Sequence, residues 1–198
     1  KKWFDENPDD VLTFSDGKKS DAFPSISSEK YRAQSRRALE LIIKYAERHY
    51  GGNIAGYHPA GGNSCEWFDG QSHKKLPFSG YDKATARAWN RWLLRNYPSD
   101  AALQKAWNDK SASRETAAVP TQAERESPVC LINPETQMRL ADFFKFWQVE
   151  MVDIVLQLAD VVRSKVPDKL SVAFYGYTPV FAGCYNGAAN TGHYAFGK

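Results

Sequence analysis

The sequence predicts an α/β fold in which parallel strands alternate with helices, and three observations carry that expectation. Asn53–Tyr57 is a short apolar run opened by the turn dipeptide Gly51-Gly52, the signature of a short buried strand. Asn133-Pro134-Glu135 is a strong helix start, and apolar residues then recur at three-to-four spacing for about thirty residues, to Lys165. Leu170–Tyr175 is a second apolar, strand-like run. A strand, a helical excursion and another strand spell a βαβ unit with a right-handed crossover and neighbouring parallel strands.

Residues 1–25 read as irregular, with turn signals at Asn7-Pro8-Asp9-Asp10 and Ser15-Asp16-Gly17-Lys18. Ser27 or Ser28 can cap the next helix, which runs to about His49 with Glu29 near its positive end. Tyr31, Ala38, Leu41, Ile42, Tyr45 and Ala46 share one face, expected to pack inward. His49 suits the helix C-terminus, a structural role. Asp82 caps a helix from Lys83 to Asn96 with Ala86, Trp89, Trp92 and Leu93 on one side. Pro98 stops it, and Ser99 caps a short helix ending near Trp107. Tryptophans at helical spacing point to core. Residues 109–128 are polar and contain Pro120 and Pro128, a long surface excursion that shapes a site or meets a neighbouring subunit. In the long helix, Leu140, Phe143, Phe144, Trp147, Met151, Ile154, Val155, Leu158 and Val162 make the apolar stripe. No internal repeat or low-complexity tract is present.

Candidate chemistry follows the first strand. Pro59, Gly61-Gly62 and Asn63-Ser-Cys-Glu66-Trp67-Phe68-Asp69 form a Gly-rich loop carrying an acid beside two aromatics. In parallel α/β folds the active groups sit in loops at strand C-terminal ends. A carboxyl flanked by Trp67 and Phe68 is partly desolvated, which favours its protonated form and suits Glu66 to general-acid work. The same residues also fit a surface loop with a solvated Glu66. The tail from Gly176 repeats the logic, with Tyr177 and His193 among glycines and asparagines. A G-x-S-x-G elbow is absent, and Cys65 has no assigned base although His58 is near in sequence. Gly61-Gly62 lacks the spacing of a dinucleotide or phosphate loop, so no cofactor is implied.

GYHPAGGNSCEWF, FSGYDKATARAWNRWLLRNYPSDAALQKAWND, SVAFYGY and NTGHYAF occur in that order and resemble bacterial glycoside hydrolases of clan A, similar to the family-42 β-galactosidases. The resemblance runs from about Lys2 to the last residue. It implies part of a (β/α)8 TIM barrel, about the fourth and fifth strands with long intervening helices, so that residues 1–198 are a partial catalytic (β/α)8-barrel domain. It implies a retaining enzyme with Glu66 as general acid/base, and Asn63, Trp67, His58, Tyr177 and His193 as candidate substrate contacts. The nucleophilic Glu of such enzymes follows the seventh strand, beyond residue 198. One departure stands out: the clan places its acid/base Glu directly after Asn, whereas Ser64 and Cys65 separate Asn63 from Glu66 here. In the resembling enzymes an aromatic pair after the third strand lines the sugar site; Trp3 and Phe4 match that place or serve packing.

Totals bound the rest. At 198 residues the chain can form a real core but is short of the about 250 that a complete barrel of this type needs. It is expected to be an internal piece of a larger enzyme, with a complete small domain as the other reading. A formal charge of +3 with spread basic residues gives no basic, aromatic stripe for nucleic acid. Six Trp, ten Tyr and eleven Phe are compatible with stacking on sugar rings, and equally with packing. Cys65, Cys130 and Cys184 form no CxxC and no zinc spacing, and are expected to be free thiols, with no metal site. No apolar run reaches the roughly 18 residues of a membrane span. The expected partners are a carbohydrate substrate and either a second copy or the remainder of the same enzyme. The compartment stays open between bacterial cytoplasm and periplasm or secretion. The functional alternative, from a different class, is a non-catalytic carbohydrate-binding or scaffold piece.

Overall fold

Four helix starts are set by side chains that the local sequence dictates. The computed structural model describes residues 1–59, 77–126 and 132–173. In it Ser28 accepts from the Tyr31 N–H and opens α2 (Glu29–Tyr50). Asp82 accepts from Thr85 and opens α3 (Lys83–Asn96). Ser99 accepts from Ala102 and opens α4 (Asp100–Trp107), which Asn108 closes in a left-handed conformation (φ 52°). Asn133 accepts from Glu135 and opens α6 (Pro134–Lys165), with a non-helical residue at Gln137 marking a kink in the first turns. Each cap supplies an acceptor to an N–H that has no partner inside its helix.

The amino-terminal region is more ordered than its turn-rich composition suggests. Lys2–Glu6 forms α1, and Val11–Thr13 (β1) pairs antiparallel with Lys19–Pro24 (β2) around Gly17, whose φ of +80° suits the turn. Trp3 serves packing: its ring meets Phe4 and Tyr31 edge-on, and its Nε1 donates to Gln34. Within the polar excursion, Gln122–Glu126 forms α5, an element that composition alone does not reveal.

The core lies where α3 and α4 meet α6. Trp89 is fully buried, stacks with Trp92 at 5.4 Å and Trp107 at 6.0 Å, and meets Phe143 edge-on at 5.7 Å. Trp147 stacks on Phe143 at 5.9 Å. The tryptophans Trp89 and Trp92 are therefore core, as their spacing predicts. A buried carboxylate ties the three helices together. Asp142 Oδ2 accepts from Tyr97 Oη at 2.5 Å and from Trp107 Nε1 at 2.8 Å. Burial and this carboxylate push the Tyr97 phenol well above its ordinary range.

Helix α2 crosses α6 and corrects the expected inward face. Its buried contact is Ile43, with Leu39 beside it, packed on Val161, Val162 and Val166. Of the expected face, Tyr31 packs on the main core and Ala46 is half-buried, whereas Ala38, Leu41, Ile42 and Tyr45 point to solvent. The periodicity locates an apolar stripe but does not say which neighbour takes it. Arg32 of α2 donates to the Glu150 carboxylate at 2.9 Å, to the Glu150 backbone oxygen, and to the Ile26 carbonyl, with both side chains nearly enclosed.

Candidate active site

Two short strands position the site. Gly56–Tyr57 (β3) and Leu170–Ser171 (β4) run parallel, with Gly56 opposite Leu170 and Tyr57 opposite Ser171. The Leu170 N–H donates to Ala55 O and the Val172 N–H to Tyr57 O. Gly56 is required there, because a Cβ would lie 2.6 Å from the Leu170 carbonyl oxygen. The neighbouring parallel arrangement agrees with the sequence expectation, but the strands are shorter than Asn53–Tyr57 and the described part of Leu170–Tyr175. Asn53 sits in a 3₁₀ turn, Gly51–Asn53. Nor are the strands fully buried: Ala55, Leu170 and Val172 are exposed. A strand is buried on both faces only when layers cover both, and here the helices cover one.

Tyr57 packs against the α2–α6 cluster of Ile43, Val161 and Val162, so it faces the helices. Its hydroxyl donates to Glu47 Oε1 at 2.5 Å, and burial together with that carboxylate pushes the phenol up to about 12. Lys169, at the entry to β4, donates to the carbonyls of Gly51 and Ile54 and pairs with Glu47 at 3.4 Å. This cluster fixes the start of both strands. His58 directly follows Tyr57, at the C-terminal end of β3. Its ring is half-buried and its Nε2 is shielded from water.

The chain leaves β3 and β4 at the same end, with residue 60 following one and residue 174 the other. Of the predicted site residues, His58 is described. Asn63, Glu66, Trp67, Tyr177 and His193 lie outside the described residues, as do Cys65, Cys130 and Cys184.

A clamp that sequence reasoning missed holds the point where the first of these segments rejoins the scaffold. Phe78 and Ser15 exchange backbone and side-chain hydrogen bonds, Ser79 bridges Phe14, and the Tyr81 N–H donates to Thr13 O. Arg125, buried in α5, donates to Ser79 O at 2.6 Å and lies over the rings of Phe78 (4.5 Å), Phe143 (5.1 Å) and Tyr81 (5.5 Å). Gly80 takes φ +92°, and a Cβ there would lie 3.0 Å from the Trp147 ring, so a larger residue would be strained. The described excursion after Asp109 is tied to the body through Arg125, the Ser15–Gln122 bond and Arg139, which reaches Glu124 and the carbonyls of Ala118 and Val119.

The buried carboxyls of the described residues have structural partners. Asp142 holds Tyr97 and Trp107, Glu150 holds Arg32, and Asp82 caps α3. Two concavities also lie away from His58. One, of about 210 Å³, is lined by Trp107, Glu124 and Arg139, and the other, of about 530 Å³, lies between α2 and the end of α6.

No protein-family model matches the chain, and no curated protein matches it in sequence. Solved structures do. The fold is similar to a β-galactosidase from the psychrophilic Marinomonas ef1 (TM-score 0.61, 22% identity, 90% of this chain and 26% of that one). It is similar to a β-galactosidase from Bacillus circulans sp. alkalophilus (TM-score 0.67, 18% identity, 89% and 25%). The catalytic domain of a β-amylase from Paenibacillus polymyxa matches 98% of this chain with 50% of its own (TM-score 0.75, 15% identity). The chain thus spans about a quarter of the β-galactosidases and half of the β-amylase domain. At these identities the likeness concerns the fold, and the chain has the fold of part of these glycosidase structures.

Proposed function

We propose that the chain is part of a (β/α)8 barrel belonging to a retaining, β-galactosidase-like glycoside hydrolase, with β3 and β4 as about its fourth and fifth strands. The observation that carries this reading is the parallel β3–β4 pair, from whose common end depart the segments bearing Glu66 and Tyr177. Barrel enzymes collect their reacting groups at that end. The fold likeness to three β-galactosidases supports the same reading. In this reading His58, which directly follows β3, is one of the residues that meet the sugar.

In this reading Glu66 protonates the glycosidic oxygen while a second carboxylate, outside the chain, attacks the anomeric carbon from about 5–5.5 Å away. Glu66 then removes a proton from the water that releases the sugar. Asn63, Trp67, Tyr177 and His193 contribute hydrogen bonds and a stacking surface.

The test is Glu66→Ala in the longer polypeptide that supplies the second carboxylate. Substrates with poor leaving groups should lose on the order of 10²–10⁴-fold in rate, and activated aryl glycosides far less, because they need little protonation. Azide should restore turnover of the activated substrates by attacking the glycosyl-enzyme without a base. Equal losses for both classes, with no azide effect, would reduce Glu66 to a sugar-binding residue.

A further inference from the structure

Where the described excursion meets the first turns of α6, the surface forms a concavity of about 210 Å³, none of whose lining residues belongs to β3 or β4. Trp107, Asp109, Glu124, Thr136, Gln137 and Arg139 give it its character. Its walls are held by bonds made within the fold. Trp107 is backed by Trp89 at 6.0 Å and donates its Nε1 to Asp142. Arg139 is bonded to Glu124 and to the carbonyls of Ala118 and Val119. Gln137, the non-helical residue of α6, accepts from the Asn133 N–H. A site fixed in this way loses little conformational freedom when a ligand enters.

The same residues keep hydrogen-bonding capacity of both kinds in reserve. Arg139 Nε is buried with no hydrogen-bond partner, a donor that costs free energy until an acceptor meets it. Asp109 takes its bonds from Ser111 on Oδ1 alone, which leaves Oδ2 open as an acceptor. Those bonds, and the Arg139 charge further off, hold the Asp109 carboxyl below its ordinary range, so it is ionised at neutral pH. The Thr136 hydroxyl, exposed at the rim, has no partner among the described residues. These groups choose among ligand classes. An anion would meet two carboxylates against one guanidinium, and a metal cation would sit beside the Arg139 charge. A neutral ligand with several hydroxyls donates to Asp109, accepts from Arg139 Nε and lays its C–H face on Trp107. The volume, about seven waters' worth, is below the ~300 Å³ at which sites for drug-sized ligands begin, and admits a single sugar ring.

We infer that this concavity binds one monosaccharide unit, with Asp109 and Arg139 bonding its hydroxyls and Trp107 against its C–H face. The inference stands on the concavity between α4, α5 and α6 and does not depend on the glycosidase reading.

The probes are the methyl β-D-pyranosides of galactose, glucose, mannose and xylose, with malonate as the anionic control. Each is titrated into the 198-residue chain and followed by saturation-transfer NMR. At least one glycoside should bind saturably, and malonate should not compete with it. Asp109→Asn keeps the oxygen that Ser111 uses and loses the open acceptor, so binding should weaken about tenfold or more. Thr136→Phe fills the mouth of the concavity and should abolish binding. Both residues are exposed, so the near-UV circular dichroism of each variant should match the wild type. His58→Ala should leave the binding unchanged. No saturable binding of any glycoside, competition by malonate, or an altered near-UV spectrum in both variants would overturn the inference. Binding that survives Asp109→Asn and Thr136→Phe but is lost in His58→Ala would also overturn it, and would support the glycosidase reading by placing the sugar at the end of β3.

Discussion

Asp82 shows how one residue serves two demands in conflict. As the N-cap of α3 it must present an oxygen to the Thr85 N–H (2.8 Å), and it also accepts from the Thr85 hydroxyl (3.0 Å). Yet it is buried, and desolvation raises its carboxyl above the ordinary aspartate value of 3.8 despite bonds from Ser25 and Thr85. The sign follows from proton linkage. A raised folded-state value means that the native protein holds the proton more tightly than the unfolded chain. The contribution of Asp82 to stability is therefore fullest below 3.8 and is lost as pH rises through the folded value. Asn keeps the capping oxygen without the charge. Asp82→Asn should accordingly be as stable as wild type or more so at pH 7, and the gap should narrow on acidification toward pH 4. Urea unfolding of both proteins at the two pH values checks this, and a gap that widens in acid would contradict it.

Between elements, the same tension appears at the α2–α6 crossing. The Arg32–Glu150 pair is nearly enclosed, and Arg32 also satisfies the carbonyls of Ile26 and Glu150. Breaking such a pair strands one buried charge, at a cost of about 3–5 kcal/mol, whereas replacing both partners by apolar groups is often close to neutral. Arg32→Met should destabilise the chain by that order, and adding Glu150→Met should recover most of it. A double-mutant cycle by denaturant unfolding measures the coupling, and additive losses would show that the pair does not act as a unit.

Interactions of this range also mark where the sequence stops being legible. The caps Ser28, Asp82, Ser99 and Asn133 were readable because a cap and its N–H lie within three residues. The βαβ order was readable from the change of apolar period. The β1–β2 hairpin and α5 were not, because they are short and rest on distant partners such as Ser15 with Gln122 and Arg125 with Ser79. The face of α2 was misassigned because two stripes, Leu39–Ile43 and Ala38–Leu41–Ile42–Tyr45, compete for the same period. Phe146 and Val161 of α6 lie outside the expected stripe but are buried, since a helix wrapped by α2, α3 and α4 hides more than one face. For the site, His58 is described at the end of β3, and all the candidates rest on their motifs.

At the scale of the whole molecule, the proposed division of chemistry between this chain and a second carboxylate outside it becomes testable. A retaining mechanism needs two carboxyls on opposite sides of one anomeric carbon. Of the buried carboxyls in the described residues, Asp142 accepts two hydrogen bonds on one oxygen within the helix layer. Glu150 is held by Arg32, and Asp82 by the first turn of α3. Withdrawing any of them to serve as nucleophile would leave Tyr97 and Trp107, Arg32 or the α3 N-terminus without its acceptor inside the fold. In the proposed reading Glu66 supplies the proton alone. A proton donor without a nucleophile leaves the developing positive charge at the anomeric carbon unsupported. The isolated 198-residue chain should therefore hydrolyse no nitrophenyl glycoside above the buffer rate. The measurement is product release by the purified chain beside its Glu66→Gln variant, with both first shown to be folded by near-UV circular dichroism from the buried tryptophans. Indistinguishable, background rates are the expected result. Turnover by the wild-type chain that Glu66→Gln abolishes would place the second carboxyl within these residues, and Asp69, three positions on from Glu66, would be the first to replace.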